Sequence, residues 1–221
     1  MNINTGRSEA FSDGVIAIII TIMVFNIRFP DLSHEATNAD VRRALVSMLP
    51  RLLAYVASFV VIGIMWLNHH HMFHLVRIVD ERLSWLNLHF LFWLSLIPFP
   101  TGMLGANPLL AESAAIYGGE MLMVTISFTM LRLYIKNKHL MEQGDREIDK
   151  KIRRVNRIAL LKNLAGTTAY AASIPVAFYS IYLSFALFAV QPVLLFIPDG
   201  VDEAGDAVNE QEEKMESSPD D

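Results

Sequence analysis

The chain has 221 residues, of which 53% are hydrophobic and only 19% are charged, and its formal net charge is −5. Soluble domains carry about a quarter charged residues, so this composition and a mean hydropathy of +0.36 argue against an ordinary soluble domain. Because the sequence contains no cysteine, disulfides, thiolate metal sites and thiol catalysis are excluded.

Four long apolar windows in the first two thirds of the chain predict membrane-spanning helices. A span needs about 20 predominantly apolar residues at 1.5 Å per residue. The windows run over about Ser8–Arg28, Val41–Leu75, Arg82–Leu104 and Leu109–Tyr134. The second window is longer than a bilayer requires and is expected to tilt or to project into water. Pro98 and Pro100 are expected to kink the third.

The last third begins with a basic connector, Lys136–Arg157, followed by the nearly uncharged stretch Ile158–Pro198. That stretch is long enough for two spans joined by a hairpin near Tyr179–Tyr182. The hairpin lacks glycine and charge, so a five-span arrangement is the alternative. The sequence therefore predicts an all-α integral membrane protein with six transmembrane helices in residues 1–198.

The distribution of positive charge predicts the orientation of this protein. If six spans begin inside the cell, all but four of the 18 Lys and Arg residues lie on the inner side. This predicts a multi-pass protein of the cell membrane with both termini in the cytoplasm. Residues 199–221 form an acidic tail with almost nothing to bury, and this tail is expected to be disordered.

The first predicted helix has two different faces. At 100° per residue, one stripe about 100° wide is apolar apart from a single hydroxyl. It contains Phe11, Gly14, Ile18, Thr21, Ile22 and Phe25. Ser12 and Asp13 fall on the opposite side.

Asp13 requires a polar partner, because a carboxylate at membrane depth costs about 2.5–3.5 kcal/mol on insertion scales. The second and third spans bring several polar side chains to the same depth. We expect a buried polar network drawn from Arg7, Phe11, Ser12, Asp13, Asn68, His69, His70, His71 and Asn87. Its expected role is to fix how the first helix packs; proton transfer is the alternative, since histidine titrates near neutral pH.

The histidines also raise the question of a metal or a catalytic centre. His70 and His74 have the i, i+4 spacing of helical zinc pairs, but no carboxylate on the same helix completes a ligand set. No metal site, no cofactor and no enzymatic activity are therefore expected. A proton-coupled secondary transporter using Asp13 and the histidines remains the alternative function, although the chain shows no internal repeat.

Two motifs resemble those of the transmembrane protein 175 family of potassium channels. The first is Arg7-x-x-x-Phe11-Ser12-Asp13 with the Gly-Val-Ile-Ala-Ile-Ile-Ile-Thr that follows, and the second is Trp66-Leu67-Asn68-His69-His70 with Phe73. The resemblance implies six helices per repeat. One repeat, as here, is typical of the bacterial members, which assemble as homotetramers in the lipid bilayer.

The same resemblance implies a potassium channel with a pore lined by the first helices. By position, Ile18 would form the first constriction and Thr21 a hydroxyl layer, with Ile22 and Phe25 further along. Phe25 is bulkier than the leucine expected there. A Thr-Val-Gly-Tyr-Gly loop is absent, so rings of apolar side chains would close the pore by dewetting. Potassium is the expected permeant ion, and no nucleic-acid partner is expected.

Overall fold

The computed structural model describes residues 5–32, 34–138, 140 and 146–197, with only the backbone described for 146–148. Within these residues the chain is built from eight α-helices. They are α1 (Thr5–Ile22), α2 (Asn38–Ser47), α3 (Leu49–His74), α4 (Glu81–Leu96), α5 (Pro98–Ala106), α6 (Ala111–Asn137), α7 (Arg146–Ala177) and α8 (Ile181–Phe196). A 3-10 turn, Met23–Asn26, extends α1.

The eight helices form six helical segments in the described part of the chain, because α2 and α3 follow one another as a single interrupted segment, and so do α4 and α5. Pro50 lies at the start of α3 and Pro98 at the start of α5, and proline cannot supply the N–H that a helix interior requires. Four segments are long and apolar enough to cross a membrane, namely Thr5–Asn26, Asn38–His74, Glu81–Ala106 and Ala111–Asn137. The predicted all-α membrane fold with six helices is confirmed.

The last two segments form the expected hairpin. A short turn separates α7 from α8, and the Ser180 side chain accepts a hydrogen bond from the Leu183 N–H at the start of α8. Across the hairpin, the Ser184 hydroxyl donates to the Ser173 carbonyl at 3.1 Å. Two antiparallel helices therefore occupy this stretch, and the five-span alternative is wrong.

The basic connector predicted over Lys136–Arg157 is shorter than expected, because helix occupies both of its ends. The α6 helix continues to Asn137, and the 32-residue α7 begins at Arg146. Lysine and arginine are good helix formers, so a dense run of positive charge extends a helix into water as readily as it forms a loop. Residues 139 and 141–145 and the acidic tail lie outside the described residues.

The end of the α1 segment is held by a close contact with the kink between α4 and α5. The Asn26 side-chain amide donates to the Pro98 carbonyl at 2.8 Å. A Cβ atom at position 102 would lie 2.8 Å from the Asn26 Oδ1, so a side chain at Gly102 would displace the Asn26 amide. The C-terminal end of the α1 segment is therefore fixed to α5, while the remaining length of α1 packs on α3 and α4.

Candidate pore helix and its polar anchor

The α1 segment has one face against its own subunit and one face open. Ser12, Ile16, Ile19 and Met23 are buried. The opposite stripe is exposed in the single chain, with relative exposures of 54% for Phe11, 58% for Ile18, 48% for Ile22 and 70% for Phe25. The sequence predicted this division from helical periodicity, and the exposed stripe is available to contact another copy of the chain, a lipid or a water-filled conduit.

Thr21 places one hydroxyl in the exposed stripe. Its Oγ1 donates to the carbonyl oxygens of Ala17 and Ile18, at 3.0 and 2.9 Å. Because the hydroxyl hydrogen is committed to the helix backbone, the oxygen presents only acceptor lone pairs to the open side. An oxygen in this state can contact a cation and cannot donate to an anion.

On the buried side, a chain of hydrogen bonds joins α1 to α3 and α4. The Asn87 Nδ2 donates to the Ser12 Oγ at 2.8 Å, and the Ser12 hydroxyl donates to the Ser8 carbonyl at 3.0 Å. The Asn87 Oδ1 accepts a hydrogen bond from the His69 Nε2 at 2.9 Å. An amide oxygen can only accept, so the His69 ring carries its proton on Nε2.

The His69 ring is fixed by aromatic neighbours as well as by Asn87. Its centroid lies 4.3 Å from that of Phe73 and 5.6 Å from that of Phe90, with the rings nearly parallel. The ring is buried, and its Nδ1 has no hydrogen-bond partner among the described residues. The side chain is therefore held in one orientation, and the polar chain ends inside the subunit.

A second polar group lies beside the first and is partly exposed. The Trp66 indole N–H donates to the Asp13 carboxylate at 2.8 Å. The Trp66 ring stacks on His70 at 5.8 Å, and the His70 Nδ1 lies 2.9 Å from the Glu9 Oε1. The partner that membrane depth requires for Asp13 is thus the Trp66 indole, whereas the sequence predicted Arg7 or a histidine.

The structure distributes the predicted network over several places. Ser12, His69 and Asn87 form one hydrogen-bonded chain, and Asp13 and His70 belong to the second group. Asn68 donates to the Ile64 carbonyl of its own helix at 2.9 Å. Arg7 and Phe11 are exposed, and His71 is half-buried with its ring centroid 6.0 Å from that of His70.

Sequence reasoning missed two participants, Glu9 and Trp66. Glu9 stands four residues before Asp13 and so shares its helix face, and an indole N–H near a membrane boundary needs an acceptor. The reason given against a metal site also fails in three dimensions, because α1 supplies the carboxylates that α3 lacks. Ligand atoms of Glu9, Asp13 and His70 lie within 4.8 Å of one another and could hold a metal ion.

Comparisons with known proteins agree with this arrangement. A family profile described as "Endosomal/lysosomal potassium channel TMEM175" matches residues 7–98, which include α1, α3 and α4. A relative from Chryseobacterium sp. (strain P1-3), named a potassium channel, is 36% identical over 194 residues, covering 88% of this chain and 93% of its own length. A Streptomyces collinus relative, also named a potassium channel, is 36% identical over 188 residues, with coverage of 82% and 86%.

A solved structure gives the same result for the fold. The crystal structure of a lysosomal potassium-selective channel TMEM175 homolog from Chamaesiphon minutus superposes with a TM-score of 0.72 and 30% sequence identity. It covers 88% of this chain and 97% of the other. The relatives are ion channels and not enzymes, as the sequence predicted. Over nearly its whole described length, therefore, the chain belongs to the TMEM175 family of membrane channels.

Proposed function

We propose that this protein is a potassium-permeable channel in which the α1 helices of four subunits surround the pore. The observation that carries the proposal is the division of α1 into a buried face and an open stripe containing Ile18, Thr21, Ile22 and Phe25. A helix bonded to its own subunit on one side can line a conduit on the other. The names of the bacterial relatives supply the permeant ion.

The order of side chains along the stripe supports a hydrophobic gate. A ring of Ile18 side chains would exclude water from a narrow pore, and dewetting closes such a constriction to ions. Thr21, one turn further on, offers oxygen lone pairs to a partly dehydrated cation. Potassium sheds its water at lower cost than sodium, so it passes more readily, and no cofactor is required.

The polar chain behind α1 supports a positioning role over proton transfer. The Asn87 amide stands between His69 and Ser12, and an amide has no readily exchanged proton at neutral pH. The Ser12 proton is directed at a backbone carbonyl, which cannot pass it on. These groups therefore suit a fixed anchor for the pore helix better than the relay that a proton-coupled transporter would need.

The loops at one end of the subunit support a proposed orientation in the membrane. The Arg77 N–H donates to the Leu140 carbonyl at 3.0 Å, which joins the α3–α4 loop to the connection after α6. This end carries most of the Lys and Arg residues, as cytoplasmic ends do. We infer that both termini face the cytoplasm and that the protein lies in the cell membrane.

The test is cation flux through liposomes that contain the purified protein. The wild type should conduct potassium down its gradient without a coupled substrate or proton. Ile18→Ala and Ile18→Asn should increase conductance and reduce the preference for potassium over sodium, because each widens or wets the constriction. Ile116→Ala, at an exposed isoleucine on α6, is the matched control and should leave both quantities unchanged. If the Ile18 variants behave like the control, this stripe does not line the pore.

A further inference from the structure

An apolar cavity of 610 Å³ lies on the side of the subunit formed by α3 and α8. Its lining includes Leu53, Ala57 and Val60 of α3 and Phe188 and Pro192 of α8. Tyr117 of α6 also contributes, but its hydroxyl lies 3.2 Å from the Ser58 Oγ inside the core. The wall of this cavity is therefore almost entirely hydrocarbon, and water gains nothing from filling it.

A second cavity of 430 Å³ adjoins the first and has the opposite character. Arg28, Asp31, Ser47 and Arg51 line it, and Pro50 and Pro108 line both cavities. The Arg51 guanidinium reaches toward the Arg28 carbonyl, with an Nη1–O distance of 3.4 Å. Two positive charges and one negative charge thus stand at the mouth of a hydrocarbon groove on a membrane-spanning segment.

We propose that the two cavities together bind one anionic glycerophospholipid. An acyl chain fills the apolar cavity, and the phosphate meets Arg28 and Arg51. Guanidinium groups pair with phosphate oxygens in two-pronged geometry, which favours this headgroup over a neutral one. Asp31 offsets one of the two positive charges, so a singly charged phosphodiester with a hydroxyl-bearing headgroup fits best; the Asp31 carboxylate accepts from that hydroxyl.

The position of the site gives the lipid a mechanical role. Arg28 follows the 3-10 turn that ends the α1 segment, and Arg51 lies in the first turn of α3. A phosphate held by both residues ties the outer end of α1 to α3. This consequence rests on the proposed function, whereas lipid binding itself does not depend on ion conduction.

The test is native mass spectrometry of detergent-purified protein titrated with phosphatidylglycerol, phosphatidylcholine or soluble glycerol 3-phosphate. The wild type should retain phosphatidylglycerol in preference to phosphatidylcholine. The double variant Arg28→Gln/Arg51→Gln should lose roughly a hundredfold in affinity for phosphatidylglycerol, since each of the two charge-assisted contacts is worth about tenfold. The variant Arg28→Lys/Arg51→Lys keeps both positive charges and should retain part of the preference for phosphatidylglycerol over phosphatidylcholine. It also shows whether weaker binding by the glutamine variant reflects misfolding.

Two further variants separate the apolar contribution from the charge. Ala57→Phe fills the hydrocarbon groove and should lower the affinity for phosphatidylglycerol and for phosphatidylcholine to the same extent. Arg42→Gln removes an exposed charge on α2 that lines neither cavity, and it should leave binding unchanged. Equal lipid binding by the wild type and the double glutamine variant would overturn the proposal. The proposal would also be overturned if glycerol 3-phosphate competed as strongly as the lipid, or if a second copy of the chain were found to cover the groove.

Discussion

In the proposed channel, neighbouring residues of the open stripe would act differently on a passing ion. Ile18 offers hydrocarbon alone, whereas Thr21 offers an oxygen whose hydrogen is already donated to the helix backbone. The first side chain excludes water and the second partly replaces it. A constriction by itself prefers the ion that is easier to dehydrate, and the oxygen layer adds the contact that the dehydrated ion needs.

Thr21→Val should therefore lower the preference for potassium over sodium without closing the pore, because valine has the shape of threonine but lacks the hydroxyl oxygen. The permeability ratio of potassium to sodium should fall by roughly two- to tenfold, or about 0.4–1.4 kcal/mol, measured from reversal potentials. Thr168→Val is the matched control, since the exposed Thr168 also donates its hydroxyl to a backbone carbonyl of its own helix. An unchanged ratio in the Thr21 variant would remove this residue from the selectivity mechanism.

Asn87 is the central residue of the hydrogen-bonded anchor behind α1. Asn87→Ala leaves the His69 Nε2–H and the Ser12 Oγ without their partner in a buried site, and each buried unsatisfied group costs about 1–3 kcal/mol. The yield of folded protein and its melting temperature in detergent should both fall. Asn68→Ala, which removes only a bond within α3, should have a much smaller effect. Equal losses in the two variants would contradict the anchoring role.

At the scale of elements, the turn between α3 and α4 is stabilised by one carboxylate. The Asp80 Oδ1 accepts from the Leu83 N–H at 2.7 Å and so caps α4, and its other oxygen accepts from the Tyr134 hydroxyl of α6. Partial burial alone would raise the pKa of Asp80. The hydrogen bonds from Tyr134 and Leu83 and the charges of Lys138 and Arg82 outweigh it and hold the pKa below 3.8.

Asp80→Ala should destabilise the protein by about 1 kcal/mol through loss of the cap. The folded-state pKa of this group is depressed, so its stabilisation is complete above pH 3.8 and is lost as the pH falls through the folded-state value. The difference in melting temperature between wild type and variant should accordingly shrink under strongly acidic conditions. Glu81→Ala, at the adjacent exposed position, serves as the control, and a similar shift there would argue against the capping role.

Some features of these elements could be predicted from the sequence and others could not. Helical periodicity predicted the two faces of α1, because residues on the same face of a helix recur at every third or fourth position of the sequence. It could not predict the Trp66–Asp13 bond. Membrane depth brings many donors to one layer, and the rotation of each helix about its axis decides which donor meets the carboxylate. The helical ends of the basic connector were missed because charge reports solvent exposure and not backbone conformation.

At the scale of the whole molecule, the open stripe bears on the number of subunits. In a ring of three helices the directions to the two neighbours enclose about 60°, and in a ring of four about 90°. A stripe about 100° wide is wider than a ring of three requires and is compatible with the proposed four copies. The remaining exposed apolar side chains of α3, α4 and α6 suit contact with lipid or with adjacent subunits.

Native mass spectrometry of the purified protein should accordingly give a mass about four times that of the 24.9 kDa chain. Cysteine substituted at Ile18 should form crosslinks between subunits, because the proposed symmetry would bring this position to the axis. The absence of native cysteine makes the result unambiguous, and cysteine at the exposed Ile116 of α6 is the control. A dimeric mass, or crosslinking only at Ile116, would contradict the proposed arrangement.

Hydrogen bonds tether the α1 segment near both of its ends, at Ser12 and Asp13 to α4 and α3 and at Asn26 to α5, with the two ends roughly 20 Å apart. A rod pinned near both ends cannot slide or rotate independently of its supports. In the proposed channel, dilation at Ile18 therefore requires displacement of the entire subunit or bowing of the short interval between the tethers. Displacement of whole subunits changes the contacts between them, so a stimulus that acts on those contacts would widen the proposed pore without breaking either tether.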